Sequence, residues 1–291
     1  MSARELTIEL PHLTLAAQSW GDEALPPLLA LHGWLDNAAS FGALAPLLAS
    51  RFHVVAIDLP GHGRSGHRPP GGWYHYVEYL ADIQAVTQAL GWQRYSLLGH
   101  SLGGATASVF AAAQPDAVQT LLLIESLGPL TVAPDAALEQ LRRSMSQRVA
   151  CSAKSLRVFP DASLAIRARM QVNDLSEAAA SALVERGLAA VPGGWSWSSD
   201  VRLTLASPLR YTEAQIHNIL RGIAAPTLVL LAQPAASYLP DAMMRARAAC
   251  VADITLQHLP GNHHVHLENP APVAAAILAF CDRVAASARV A

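Results

Sequence analysis

Lysine is almost missing from this chain. Of its 20 basic residues only Lys154 is a lysine, so a Schiff-base mechanism has a single candidate, and that residue sits in no recognisable motif. Charge of either sign is scarce. Asp, Glu, Lys and Arg make up 14% of the 291 residues, and 20 basic against 22 acidic residues leave a net charge of -2. Disorder needs low hydrophobicity and high net charge, whereas this chain is 52% hydrophobic with a mean hydropathy of +0.26. The missing basic excess removes the electrostatic footprint of a nucleic-acid binder or a basic membrane-surface protein. Cysteine is scarce too. Cys151, Cys250 and Cys281 are far apart, odd in number and form no CxxC pair, which argues against a zinc ribbon or a disulfide framework; they read as buried apolar thiols. No segment approaches ~18 uninterrupted apolar residues, so no membrane span is expected. Residues 1–11 carry both charge signs and no apolar run of signal-peptide length. A soluble cytoplasmic protein is the expectation.

What is present is an alternation of strand and helix patterns. Residues 6–10 and 13–20 alternate in polarity around Pro11-His12, which predicts an antiparallel hairpin. Continuous apolar runs follow at residues 28–31, 52–59, 95–99 and 118–124, and runs of this kind suit strands buried on both faces of a parallel sheet. Between them, residues 38–50, 76–90 and 102–113 have helical spacing, the second closed by Gly91 in the position where a helix commonly ends. The rhythm stops between residues 126 and 211. There the pattern is helix and loop, with helices expected at 136–149 and 176–190 and a loop at 192–197. It resumes with helices at 212–222, 240–249 and 271–286 and strands at 226–231 and 254–259. The prediction is an α/β fold with a mostly parallel sheet, built from residues 1–125 and 212–291 and carrying a helical cap at 126–211. Both flanks of that insert must return to one sheet, so it is not an independent domain.

Three strings carry chemistry. Gly99-His100-Ser101-Leu102-Gly103 follows a strand and opens a helix. A Ser on such a sharp turn stands clear of the sheet, flanking glycines permit the close backbone approach, and the Leu102 N–H at the helix start is free to bind negative charge. Leu31-His32-Gly33-Trp34 ends an earlier strand. Acyl transfer needs a second backbone donor for the tetrahedral oxyanion, and the Trp34 N–H is placed for it; His32 fits a loop-bracing role better than that of a base. The third string, Gly261-Asn262-His263-His264-Val265-His266-Leu267-Glu268-Asn269-Pro270, follows the last strand. Three close histidines could hold a metal, but no matching ligand set accompanies them, and a base on a loop is the more economical reading. The acid that orients this base belongs near a strand end between Ser101 and the histidines. Glu125 follows its strand directly. Asp241 is the alternative, since residues 232–236 offer no carboxylate.

With these residues in hand, the chain resembles the α/β-hydrolase superfamily over nearly its full length. The strings that carry the resemblance are His32-Gly33-Trp34, Asp58-Leu59-Pro60-Gly61-His62-Gly63-Arg64-Ser65, Gly99 to Gly104 and Gly261 to Pro270. Within that superfamily, Leu31 to Ala38 and the His-His-x-His-Leu-Glu-Asn-Pro end look like the serine hydrolase-like group. The resemblance implies an eight-stranded sheet, a ligand pocket between sheet and cap, and His263 as the base. It gives the string from Asp58 to Ser65 a structural part only. The Gly-x-x-Asp that many members carry after the strand at 226–231 is missing, whereas others place the acid where Glu125 stands. Members with Asp at the elbow form alkyl-esters on that carboxylate; Ser101 excludes that chemistry. The expectation is therefore a serine hydrolase acting on a small-to-medium apolar carboxylic ester, without cofactor or metal, through Ser101, His263 and Glu125, with Trp34 and Leu102 as oxyanion donors. Met170, Trp195, Trp197, Leu203 and Leu205 give the cap an apolar character suited to such a substrate, although residues of this kind more often form core. Thioester, lactone, perhydrolytic and C–C bond chemistry on the same residues stay open, as does a non-enzymatic ligand receptor.

Overall fold

The alternating and continuous apolar runs become strands where their patterning places them. In the computed structural model, which describes residues 2–151 and 155–288, β1 (Arg4–Leu10) and β2 (Leu13–Trp20) form the antiparallel hairpin, paired from Arg4↔Ser19 to Leu10↔Leu13. β3 (Pro27–Leu31) and β4 (His53–Ile57) follow. Between them the expected single helix is broken into a 3-10 turn (Ala38–Phe41) and a short α1 (Ala45–Leu48). Pro46 lacks the N–H that would continue the earlier turn, so the ladder restarts there. α2 (Glu78–Ala89), β5 (Tyr95–His100), α3 (Leu102–Ala113) and β6 (Val118–Ile124) complete the first half.

The insert is not wholly helical. It contains α4 (Ala137–Cys151), β7 (Val158–Phe159), α5 (Ala162–Asn173), α6 (Glu177–Gly187), β8 (Leu188–Val191) and β9 (Gly194–Trp197). The last two pair as a hairpin from Leu188↔Trp197 to Val191↔Gly194, and β7 adds to β9. The loop expected at 192–197 is thus a turn and a strand. Pro192-Gly193 supplies the turn, with Gly193 at φ +89°, the backbone region that Gly enters without a Cβ penalty. These strands are short and mix half-buried with exposed positions, so they carried no two-residue period for a sequence reading to find. Lys154 lies outside the described residues.

The chain then returns through α7 (Glu213–Leu220), β10 (Thr227–Gln233), α8 (Asp241–Ala248), β11 (Ile254–Pro260), α9 (Val265–Glu268) and α10 (Pro270–Ala288). The sheet order is β1-β2-β4-β3-β5-β6-β10-β11. It is parallel from β4 onward and antiparallel at β1–β2–β4, the eight-stranded, mostly parallel sheet that the sequence predicts. Successive residues serve opposite faces. Leu29, Leu31, Leu97 and Leu121 pack with Ile83, Phe110 and Ile216; Leu28, Ala30, Leu98 and Leu122 pack with Phe41, Ile277 and Phe280. α10 is long and apolar enough by length and composition to cross a membrane. Its stripe of Val273, Ala274, Ile277, Phe280 and Cys281 is buried against the second of these faces. Of the three thiols only Cys281 is buried; Cys151 and Cys250 are half-buried.

Arginines fasten the insert to the sheet. Arg186 of α6, buried, donates from Nε to both Asp58 oxygens at 2.9 and 3.0 Å and from Nη1 to Glu5. Asp58 in turn accepts the N–H groups of Ala38 and Arg64, which confirms that the turn after β4 is structural. Arg247 of α8, fully buried, donates to the carbonyls of Leu127, Gly128 and Pro129 and pairs with Glu213. Removing one partner of a buried ion pair leaves the other uncompensated. Arg186→Met should therefore lower the unfolding free energy by about 3 kcal/mol in urea titrations; a change within experimental scatter would show that Asp58 is neutralised by other means.

Candidate active site

Ser101 sits between β5 and α3 with φ +50° and ψ -113°, a strained conformation for a residue with a side chain. Packing enforces it. A Cβ on Gly103 would lie 2.0 Å from the Leu31 carbonyl oxygen, one on Gly99 would lie 2.5 Å from the Gly104 Cα, and one on Gly104 would lie 2.8 Å from the Ser126 Cβ. The start of α3 is thus pressed onto the end of β3, where the Gly103 N–H donates to the His32 carbonyl. The Leu102 and Trp34 N–H groups donate to no acceptor among the described residues. They are the two donors the sequence singles out, one from each side of that crossing.

Glu125, directly after β6, is buried and has φ +54°. Its N–H donates to the Leu230 carbonyl, and Oε1 accepts the Ala232 N–H. Its other oxygen, Oε2, accepts the His263 Nδ1–H at 3.1 Å. Asp241 stands apart at the start of α8, paired with Arg245 and His258. The structure therefore brings Glu125, not Asp241, to His263. Ser101 is tied to the same ridge: its N–H donates to the carbonyl of Ile124, the residue before Glu125, and its neighbour His100 donates from Nε2 to the His263 carbonyl at 2.8 Å. The Ser101 hydroxyl makes no hydrogen bond to the imidazole among the described residues, a geometry common in sites without substrate. His263 remains 21% exposed, and Tyr238 stands edge-on to its ring at 5.5 Å. Burial, and then the charge of Glu125, push the Tyr238 hydroxyl up to about 12.

The other histidines brace. His32 Nδ1–H donates to the Gly33 carbonyl and Nε2 accepts the Leu59 N–H, the loop-bracing part the sequence reading gives it. Burial pulls His32 and His100 down to about 4 and His62 to about 3. His266 is held well below its ordinary value by the same cause and meets the Ser40 hydroxyl at 2.7 Å. Asp36, His100 and His264 present ligand atoms within 4.8 Å of one another. The carboxylate already accepts from Arg169, so this donor set is neutralised by protein and is poorly suited to a cation. Nothing in the sequence reading singled out Asp36, His264 or Arg169 for this grouping. Asp36 falls inside the string from Leu31 to Ala38, which carries the family resemblance without marking it; Arg169 gave no signal.

The expected apolar cap residues are mostly core. Met170 packs in a cluster that joins the insert to Leu267 of α9, Trp197 packs in one within the insert, Leu203 is buried, and Trp195 is 41% exposed. Trp197 lines a cavity of about 20 Å³ beside Asp36, Arg169 and Leu183, room for about one water. Trp34 is 53% exposed and donates from Nε1 to the Leu203 carbonyl.

A mostly parallel eight-stranded sheet with a serine elbow after β5 and a His loop after its last strand defines the α/β hydrolase fold, and a family model described by that fold matches residues 26–151. The chain is 33% identical to a serine hydrolase-like protein of Danio rerio, with 96% of this chain and 88% of that protein aligned. It is also 33% identical to human serine hydrolase-like protein 2, over 95% of this chain and 93% of that one. It belongs to the serine hydrolase-like proteins. Among solved structures it is similar to a hypothetical protein of Pseudomonas aeruginosa PAO1, at 41% identity and a TM-score of 0.90 over 96% of this chain and 99% of that one. The thioesterase domain from the curacin biosynthetic pathway is similar at 27% identity and a TM-score of 0.84, over 96% and 100% of the two chains.

The buried imidazoles set a pH dependence. His32, His62 and His100 have folded pKa values below the ordinary 6.5, so the unfolded chain takes up protons first and stability falls as pH drops from 7 toward 4. Asp36, held low, contributes stability that is lost only below about 3.9, outside that window. Urea midpoints at pH 7, 6 and 5 should decline steadily, and His32→Gln should flatten the slope; a pH-independent midpoint would show these rings to be hydrated.

Proposed function

We propose that the protein hydrolyses a small-to-medium apolar carboxylic ester through an acyl-enzyme on Ser101, with the insert acting as a cap over the site. As the Ser101 oxygen attacks the carbonyl carbon, His263 Nε2 takes the hydroxyl proton. Glu125, bonded to Nδ1–H, fixes the ring and offsets its positive charge. The tetrahedral oxyanion accepts the N–H groups of Trp34 and Leu102, each worth about 3 kcal/mol of transition-state stabilisation. Collapse breaks the C–O bond to the leaving alkoxide, which receives the proton from His263. Water then adds to the acyl carbon by the same route, and Ser101 leaves with its proton restored.

The observation that carries this reading is the His263–Glu125 pair at 3.1 Å, tied through Ile124 and His100 to a serine on a strained elbow. Tyr238 beside it and the exposed Trp34 in the turn after β3 favour an apolar substrate over a charged one. A thioester is the second reading, favoured by the likeness to a thioesterase domain. It needs no change in residue roles, only a thiolate as leaving group.

A fluorophosphonate probe should add one adduct by intact mass, on Ser101, and Ser101→Ala should lose both adduct and p-nitrophenyl ester turnover while remaining folded. Glu125→Gln should cut kcat by about 10⁴-fold, whereas Asp241→Asn leaves it unchanged. A panel of esters and thioesters of increasing acyl length ranks the substrate classes. A folded wild-type protein that takes no adduct would overturn the catalytic reading in favour of a ligand receptor.

A further inference from the structure

One buried carboxylate lies against the chain neighbours of both Ser101 and His263 without belonging to the proposed site. Asp36 is 3% exposed. Its Oδ2 lies 3.3 Å from His264 Nε2 and 3.6 Å from His100 Nδ1, and Oδ1 accepts the Arg169 guanidinium from α5 of the insert. His264 adjoins the base His263, and His100 adjoins the nucleophile Ser101. Asp36 itself closes the turn after β3, where its N–H donates to the Gly33 carbonyl at 3.1 Å, and this turn presents the Trp34 N–H. Leu35 within it has φ +59°. The packing is tight: a Cβ on Gly33 would lie 2.8 Å from Asp36 Oδ2 and 2.9 Å from His100 Nδ1.

We propose that Asp36 is a positioning residue for the Ser101–His263 site, and that Arg169 is the counterion through which the seating of the insert sets its geometry. The proposal rests on the reading of Ser101 and His263 as the catalytic pair. An anion this deep is tolerated only when paired, and Arg169 is the only arginine that meets it among the described residues. Burial alone would raise the Asp36 pKa, but its contacts with His100 and His264 and the charge of Arg169 outweigh it and hold the carboxyl well below the usual range. The titratable groups around it are His32, His62, His100, His264, His266 and Arg169. With the guanidinium gone, holding the anion requires an adjacent imidazole to bind a proton from solvent, or the carboxylate itself to do so. Either event changes the Asp36–His264 bond and moves the loop that carries His263. Arg169 lies on a helix of the insert, so displacing that helix removes the counterion as surely as a mutation would.

The test compares Arg169→Gln with Arg169→Lys in the full-length protein. Arg169→Gln should lower kcat and the rate of fluorophosphonate labelling together, by about ten- to a hundredfold, with KM nearly unchanged; the uncompensated Asp36 also lowers the melting temperature. Arg169→Lys should recover most of both rates. The imidazole nitrogen resonances of His264, read by NMR without substrate, should shift in the Gln variant and return in the Lys variant. Asp36→Asn combined with Arg169→Gln should be no slower than the slower single variant. If Arg169→Gln changes only the melting temperature, or raises KM with the labelling rate intact, Arg169 merely anchors the insert and the proposal fails. Should wild type take no adduct, the catalytic reading fails separately, and unmoved His264 resonances in Arg169→Gln would then overturn the coupling itself.

Discussion

The site depends on how closely α3 crosses the ends of β3 and β5. Without side chains at positions 99, 103 and 104, the helix start descends onto the sheet until Gly103 bonds the His32 carbonyl. That descent throws Ser101 into a positive-φ conformation, leaves the Leu102 N–H without an acceptor among the described residues, and brings the loop after β3 alongside. A single methyl at Gly103 would overlap the Leu31 carbonyl. Lifting the helix to relieve the overlap would take the two free N–H groups apart. Strain is concentrated here: among the described residues, three of the four non-glycine positions with positive φ are Leu35, Ser101 and Glu125. The fourth, Asp174, offers its carbonyl to Asn262, the residue before His263. The continuous two-faced core beneath holds these conformations in place.

Arginine, not lysine, holds the insert. Arg186 reaches Asp58 and Glu5 together, and Arg247 spans Glu213 and three carbonyls at once. A planar fork with five donors can satisfy such divergent acceptors while buried; an ammonium presents a compact point charge that hydrates strongly. Arg202 repeats the pattern at the other side of the insert, bonding Asp200 and the carbonyls of Arg68, Pro69 and Gly72. The insert thus seats on a few multidentate arginines rather than on one broad apolar face.

Much of this was readable beforehand, and the boundary is physical. Strands such as β3 and β6 are buried on both faces, so their apolar runs are unbroken and announce themselves. The elbow was legible because glycines at fixed offsets mark close backbone approach. Glu125 was legible because it directly follows a buried strand. The β8–β9 hairpin was not, since neither strand has a face committed to a core; only Pro192-Gly193 marked it. Nor was Arg169 legible: its meaning depends on Asp36, more than a hundred residues away, and no local pattern records a partner at that distance.

The histidines show why residue type alone does not assign a role. Three stand within four positions on the loop after β11, yet their surroundings divide the work. His266 is buried against a serine hydroxyl and His264 against a carboxylate. His263 and His264 each keep one ring nitrogen on a carboxylate and the other without a protein partner among the described residues, but of the three only His263 is partly exposed, so only its open nitrogen can be reached. A base must exchange protons with a reacting group, so it needs that open nitrogen. Burial closes the first two off from any reacting group and leaves them to fix the third. The same burial that disqualifies His264 as a base makes it a rigid relay between Asp36 and the residue beside it, and Asp36 can serve so only while a cation from the insert balances it.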